Sequence, residues 1–525
     1  MDADVIVVGA GPTGLMLAGE LRLGGAHVIV VERLEQPTGQ SRGLGFTARA
    51  MEVFEQRGLL SWFGGLEKAA LGHFGGVQFD YTVLEDAHFG ARGIPQSHTE
   101  DVLERWALWL GADIRRGWEF LELELDDNDD PADHDDHVEI TVATPQGVQR
   151  LSAPYLVGCG GGSSPVRRAA GFAFPGTEAT RTMYLADVAG CELRPRFLGE
   201  RLPGGMVMAA PLGDGVDRII VVPDAVPGQE RERTVGFAEV ADAWRHITGE
   251  DISAGTAHWV SSFTDATRQV TEYRRGRILL AGDAAHVHLP AGGQGLSTGV
   301  QDAANLGWKL AAEVRGRAPA GLLDSYHTER HAAGKRLLMN THAQGMLFVG
   351  GPEMGPLREL MGELIQYDDV KRHLAGLVSG LDVRYDVGPG SHPLLGRRLP
   401  PRTLTAATGP TSTMELLHPA RGLLLDLGEN AELRAAAAPW QDQVDTATVR
   451  PQESEGVLSA TTALLVRPDG YVCWAAGAGA EADPGDLRAA LLRWFGNPND
   501  PSNTAGTDNT AGTAGRAATT AGSPT

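Results

Sequence analysis

The stretch Val5-Ile6-Val7-Val8-Gly9-Ala10-Gly11-Pro12-Thr13-Gly14 decides the fold: it reads as a strand, a glycine turn and a helix start, with a second strand at Val28 to Glu32. Four apolar, mostly β-branched residues suit a strand buried on both faces. Gly9 and Gly11 let the backbone turn tightly and approach a pyrophosphate, and Gly14 lets the helix Leu15 to Leu23 pack on the strand. The helix start turns unpaired N–H groups and the positive end of its dipole toward an anion. Glu32 follows Gly14 by eighteen positions, where a carboxylate accepts hydrogen bonds from ribose hydroxyls and repels a 2′-phosphate. A glycine-rich turn without a ligand is the plain alternative. Strand before, helix after and acid at this distance favour a dinucleotide.

The chain has 525 residues, enough for about three domains of roughly 150 residues each, and 42% apolar content fills their cores. A net charge of −22 without a basic cluster disfavours nucleic acid and anionic membrane as partners. Cys159, Cys191 and Cys473 are far apart and share no metal-ligand spacing, so no disulfide framework and no metal site is expected, and a reducing cytoplasm fits. The opening Met1-Asp2-Ala3-Asp4 carries no basic n-region and no apolar run approaches a membrane span, so the expectation is a protein neither exported nor embedded.

Between the second strand and residue 150 the reading is coarser. Ala50 to Leu60 is amphipathic, with Met51, Phe54 and Leu59 available for one face. Arg42, in a glycine-flanked loop, either reaches a phosphate or is a solvated surface arginine, and the sequence leaves both open. His73 to Tyr81 alternates as a strand does, and Gln96 to Glu100 opens a helix to about Leu110 with Ser97 or Thr99 as cap. Gln96 is a candidate ligand contact. The acidic run Asp126 to Asp136, between strand-like Leu121 to Leu125 and Val138 to Val142, reads as a solvated hairpin loop without EF-hand spacing.

Tyr155 to Arg168 is a short strand, a glycine turn and a helix start carrying Arg167. A second anchor runs from Arg277 to Ser297. Its strand delivers Asp283 to the carboxyl end, where a short carboxylate takes hydrogen bonds from a polyol, and its glycines make room for a flat group. The helix behind Gly295, with Val300, Ala304, Leu306 and Leu310 for its buried side, points another positive end at that group. Together the anchors describe a diphosphate, a polyol and a ring that becomes anionic, which fits FAD better than NAD.

The segments Gly9 to Gly14, Tyr155 to Arg168 and Gly282 to Gly295 resemble the three fingerprints of the class A flavoprotein monooxygenases, the family of p-hydroxybenzoate hydroxylase and phenol hydroxylase. Longer stretches, namely SRGLGFTAR, HFGG, RQVTEYRRGR, HLPAGGQG and DSYHTERHAAGKRLLMNT, resemble the aromatic polyketide hydroxylases of angucycline-type antibiotic pathways, up to about Gly496. The resemblance implies an FAD-dependent, NADPH-consuming hydroxylation of a polycyclic aromatic polyketide by O₂ through a flavin C4a-hydroperoxide. Baeyer–Villiger or epoxidising chemistry on a similar polyketide, or a non-catalytic flavin-fold binding protein, are the alternatives. Carried over by position, Gly9, Gly11, Pro12, Gly14, Glu32 and Arg33 hold the ADP part, and Arg42 and Gln96 flank the diphosphate and ribityl chain. Asp283 binds the ribityl hydroxyls, Gly295 and Leu296 offer N–H groups to the ring, and Arg42, Pro290 and Gly293 position the flavin. No catalytic triad is expected, because the phenolic substrate supplies its own nucleophilicity. One departure stands out: the middle fingerprint normally reads Asp-Gly before its Ser-x-Val-Arg, and here Gly160 takes the aspartate position.

The expected architecture is α/β: a Rossmann-like FAD-binding domain with the p-hydroxybenzoate hydroxylase fold, a sheet-rich substrate domain and a C-terminal thioredoxin-like domain. The boundaries read as 1–176 and 269–387 for the FAD-binding parts, 177–268 for the sheet that roofs the substrate, 388–496 for a linker and the last domain, and 497–525 for a disordered Thr-Ala-Gly-rich tail. Met206 and Met208 either line the pocket or belong to the core. Leu464 to Trp474 reads as a hairpin with a Pro-Asp-Gly turn, and without a CxxC the last domain has no dithiol chemistry. A homodimer is an assembly that the sequence leaves open.

Overall fold

The computed structural model describes residues 1–84, 90–124, 136–224, 235–452, 456–477 and 482–498. Val5–Val8 lies inside a six-stranded sheet, parallel to Val28–Glu32 on one side and to Tyr155–Gly158 on the other. Asp113–Arg116 and Ile278–Leu280 extend the sheet in parallel, and Arg274–Arg275 closes one edge antiparallel. The first strand is fully buried, as its β-branched run requires. Three distant parts of the chain thus bring Gly9, Cys159 and Ala281 to the same carboxyl edge, where open α/β sheets take their ligands.

Helix α1 is Pro12–Leu23, and α2, Ala48–Glu55, buries Met51 and Phe54 with Leu59 behind it. The stretch from His73 to Tyr81 is not one strand. Leu71–Phe74 and Val77–Asp80 form an antiparallel hairpin turned at Gly75 and Gly76, whose φ angles of 58° and 90° favour glycine. Helix α3, Gln96–Trp109, has Pro95 at its N-cap and no side-chain cap. Ser97 and Thr99 sit inside the first turn, past the position from which a hydroxyl reaches the N2 or N3 amide; Ser97 bonds Ser41 instead, and Thr99 Oγ1 donates back to the Pro95 carbonyl. Glu119–Glu124 and Val138–Thr144 pair antiparallel, while residues 125–135 between them, which hold all of the acidic run but Asp136, lie outside the described residues. Helix α4, Pro165–Ala169, is capped by Ser164, whose Oγ accepts from the Arg167 N–H.

A five-stranded antiparallel sheet follows, in the order Arg196–Leu202, Gly205–Gly213, Val216–Pro223, Thr182–Ala189, Thr256–Thr264. Its side chains alternate between faces. Tyr184, Ala186, Val207, Ile219 and Val221 pack on one face against Trp244 of α5, Phe237–Thr248. Met183, Met206 and Val222 face the other way, against Leu289 and Ala291. Met206 is therefore core, and Met208, on the same face, is half-buried.

Helices α6, Gln294–Val314, and α7, Asp324–Val349, lie behind the nucleotide sheet, and α8, Gly355–Leu364, and α9, Asp368–Ser379, cover the hairpin side. Helix α6 is buried on nearly all sides rather than along one stripe, since it packs against α1, α2 and α7 at once. The last unit runs strand Gly422–Asp426, helix α10 (Ala431–Ala437), parallel strand Val444–Pro451, antiparallel hairpin Thr461–Val466 with Val472–Gly477, and helix α11 (Pro484–Phe495). The hairpin read from the sequence is present; of the tail, residues 499–525 lie outside the described residues.

Candidate cofactor site

Two helix N-termini converge at the carboxyl edge of the nucleotide sheet, and small residues explain why. A Cβ on Gly299 would lie 2.2 Å from Thr13 Oγ1, one on Gly307 2.3 Å from Glu20 Cβ, and one on Gly24 2.3 Å from Ala311 Cβ. Helices α1 and α6 therefore run side by side in the same direction, closer than any larger residue permits. With Thr13 level with Gly299, α6 begins about four residues, roughly 6 Å, beyond the start of α1. One positive end serves the edge near the first strand, and the other reaches farther out.

Both ends are open. Gly11 is the N-cap of α1 and Gly293 that of α6, neither end has a side-chain cap, and a Cβ on either glycine would meet nothing within 4 Å. Gly14 is different, since its Cβ would stand 2.0 Å from the Gly9 carbonyl, so this glycine is demanded by helix–strand packing. Gly9 itself has φ +111°, and a Cβ there would meet the Cys159 carbonyl at 2.7 Å. Pro12 is buried in the first turn, and Arg33 is exposed just past the second strand. Glu32 accepts from the Ala10 N–H at 2.9 Å and the Leu34 N–H at 3.0 Å, which holds its carboxylate beside the glycine turn.

The second anchor faces the first. Thr13 Oγ1 would be 2.6 Å from a Cβ on Gly282, so the turn before Asp283 rests on the start of α1. Asp283 is exposed, and a Cβ on Gly295 would lie 4.0 Å from its Oδ1 and 3.5 Å from His288 Nε2. Burial lowers the His288 pKa below its usual value. Pro290 is exposed at the head of the Gly292–Gly293 turn, and both glycines are left-handed. Gly43 packs on Leu296, its N–H donates to Gln96 Oε1 at 3.4 Å, and its carbonyl accepts from the Gln96 N–H. Gln96 thus pins the loop that carries Arg42, whose side chain is exposed beside it. The structure brings Gly11, Glu32, Gln96, Asp283, Gly293, Gly295 and Leu296 to one edge.

What holds Gly282 and Asp283 there was not apparent from the motifs. Asp302 of α6 accepts from the Gly282 N–H at 3.0 Å, and its carboxylate also meets His286 Nε2 at 2.9 Å and Arg330 Nε at 2.6 Å. Burial opposes the Asp302 charge, but Arg330 and His286 outweigh it and keep the carboxyl below its usual range. Arg330 completes its bonds with the Tyr385 hydroxyl and the Thr298 carbonyl. The signal for this network is a polar stripe, Gln294, Thr298, Gln301, Asn305 and Lys309, at helical spacing along an otherwise apolar helix.

Open helix ends over glycines, with one exposed carboxylate between them, fit a diphosphate, a polyol and a flat ring. Residues 2–341 match the FAD binding domain family, and residues 392–498 match the aromatic-ring hydroxylase C-terminal family. The chain is an FAD-dependent aromatic-ring hydroxylase. The hydroxylase is 59% identical to CabE, an aromatic hydroxylase from angucycline biosynthesis, over 94% of its own chain and 99% of that one, with a TM-score of 0.90. Identity and coverage are the same for BexE, studied for oxidation in BE-7585A biosynthesis, with a TM-score of 0.88. It is 42% identical over 512 residues to the 12-dehydrotetracycline 5-monooxygenase/anhydrotetracycline 6-monooxygenase of Streptomyces rimosus, covering 95% of this chain and all of that protein. No helix among the described residues of the hydroxylase is long and apolar enough to cross a membrane.

Proposed function

We propose that this hydroxylase oxidises a polycyclic aromatic polyketide of the angucyclinone type with NADPH and O₂. The observation that carries the substrate class is the 59% identity to CabE along nearly the whole of both chains. Bound FAD supplies the oxygen-transfer chemistry. The residues do the rest: Gly11 and the α1 end receive the diphosphate, Glu32 the adenosine ribose and Asp283 the ribityl hydroxyls. Arg42, held by Gln96, stands at the diphosphate, and the α6 end behind Gly293, Gly295 and Leu296 stabilises negative charge on the ring. The five-stranded sheet, 177–268, roofs the substrate above the FAD-binding parts 1–176 and 269–387. Residues after 388 form a linker and a thioredoxin-like unit, a reading supported by a six-stranded sheet with one parallel and four antiparallel pairings, Thr403–Ala406 and Gly409–Ser412 forming its far edge.

A second reading has one observation in its favour. Gly160 stands exposed where the related fingerprint has an aspartate, so reduction by NADPH is weakened or absent. Anaerobic NADPH added to the flavin-loaded protein, with and without a prejadomycin-type angucyclinone, separates the two. Bleaching of the flavin band and a hydroxylated product on admitting air are expected. A flavin that NADPH never bleaches would overturn NADPH as the reductant of this hydroxylase.

A further inference from the structure

A cleft of about 350 Å³ opens between α7 and the segment that follows α9, and it ends against the first turns of α6. It is separate from the cofactor edge. A Cβ on Gly292 would lie 3.2 Å from Gln294 Nε2 and 3.4 Å from Val378 Cγ1, so these two buried side chains pack under the Gly292–Gly293 turn and part it from the cleft. The inner wall is polar although it is buried. Gln301, 8% exposed, donates from Nε2 to the Ser297 carbonyl of its own helix at 3.1 Å, and its Oε1 has no partner among the described residues. The Tyr385 hydroxyl accepts from Arg330 Nη1 at 2.9 Å and has no acceptor for its own proton among the described residues. Burial raises its pKa well above the usual phenol value, so that proton stays. One donor and one acceptor thus share a buried wall, where a polar group left without a partner is costly.

The rest of the lining sets the shape and charge of what fits. Ala333, Leu337, Val378 and Val383 make an apolar middle. The deeper charges are already paired, Arg330 with Asp302 and Glu329 with Arg467 and Lys309. At the mouth Arg336 and Arg384 are exposed. Arg336 meets Asp382 at 3.2 Å, and Arg384 Nε donates to the Leu395 carbonyl at 2.9 Å. Two guanidinium groups against one carboxylate favour an anion at this end.

We propose that the cleft binds a small hydroxylated aromatic carboxylate, with its hydroxyl between Tyr385 and Gln301, its ring among the apolar side chains and its carboxylate at Arg336 and Arg384. The occupant borders both supports of the flavin-side turns. Arg330 in the wall bonds Asp302, which holds Gly282, and Asn340 in the wall donates to Gln294, whose amide donates to the Ala291 carbonyl. A ligand that braces these side chains tightens flavin binding, and by linkage flavin tightens the ligand by the same factor.

The test titrates 6-hydroxy-2-naphthoate into the FAD-loaded protein by calorimetry, with 2-naphthoate and 2-naphthol as probes that each lack one polar group. A Kd below about 1 mM is expected for the full probe and one about tenfold weaker for 2-naphthoate, the worth of one hydrogen bond. Gln301→Leu loses no bond outside its own helix and should fold; it is expected to weaken the full probe about tenfold and to leave 2-naphthoate within about twofold. Arg384→Gln should weaken both acids about threefold, the scale of one exposed ion pair, and leave 2-naphthol within about twofold. Saturating full probe should lower the Kd of FAD, read by flavin fluorescence on serial dilution, at least about fivefold. No binding of the full probe at about 10 mM, or equal affinity in Gln301→Leu and the original, would overturn the proposal. So would an Arg384→Gln protein that loses 2-naphthol as much as the acids, or a FAD affinity indifferent to the probe.

Discussion

At the residue scale, the fingerprint glycines have different jobs that the motif does not distinguish. Gly11 borders open space and Gly14 borders the Gly9 carbonyl, so the same substitution should fail in different ways. Gly11→Ala is expected to fold with a loss of no more than about 1 kcal/mol, the usual scale of an N-cap change, while FAD affinity falls at least about tenfold. Gly14→Ala should destabilise even the flavin-free protein by about 3 kcal/mol, since its methyl has no room. Urea unfolding of the apoproteins and flavin titration separate these outcomes. Gly160 is a third case. Its Cβ would meet Pro165 Cδ at 3.2 Å and nothing else nearer than 3.8 Å, so Gly160→Asp should fold and gain either faster reduction by NADPH or tighter flavin retention. A variant unchanged in both would sink the idea that the missing carboxylate matters.

At the scale of elements, the site depends on how α6 is gripped. Asp302 is buried with Arg330 and His286 and holds the Gly282 N–H, so Asp302→Ala leaves three buried polar partners without their acceptor. Loss of about 3–5 kcal/mol in stability is expected, with a lower flavin-to-protein absorbance ratio after gel filtration. Replacing both ends, Asp302→Leu with Arg330→Met, should recover much of the stability without recovering the flavin, because an apolar pair removes the desolvation cost but cannot accept from Gly282. The first strand, α1 and the second strand were legible because local pattern alone specifies them. The start of α3 was not, since Ser97 and Thr99 have capping residue types in the wrong turn.

At the scale of the whole molecule, the C-terminal unit plugs into the nucleotide-binding body through its hairpin turn. Arg467 is fully buried and meets Glu329 of α7 at 2.6 and 2.9 Å, and Asn305 of α6 donates to Asp469 at 3.1 Å. Arg57, paired with Glu20 of α1, donates to the Pro468 carbonyl at 2.8 Å and the Leu417 carbonyl at 3.1 Å. Burial opposes the Glu329 charge, but Arg467 and Lys309 outweigh it and hold the carboxyl near 2. Its folded pKa lies below the unfolded value of about 4.3, so its contribution is present above that pH and is lost as pH falls toward 2. Urea midpoints taken from pH 7 to pH 2 should show this loss, and Glu329→Gln should flatten the acid-side slope while lowering stability at neutral pH.

The sequence by itself determined the nucleotide-binding unit, because strand, glycine turn and helix follow one another within about thirty residues and are specified by local sterics; the cofactor class followed once the second anchor, Arg277 to Ser297, was added, and the hydroxylase family from the resemblance of its motifs. It also determined the terminal hairpin. Only the tertiary structure decided that the Pro-Asp-Gly turn is buried in another unit, that α1 and α6 run parallel in contact, and that one acid, Asp302, holds the second anchor. These features join residues far apart along the chain, such as Asn305 with Asp469. A buried charge is tolerated only where its partner stands, and that partner is placed by packing rather than by spacing.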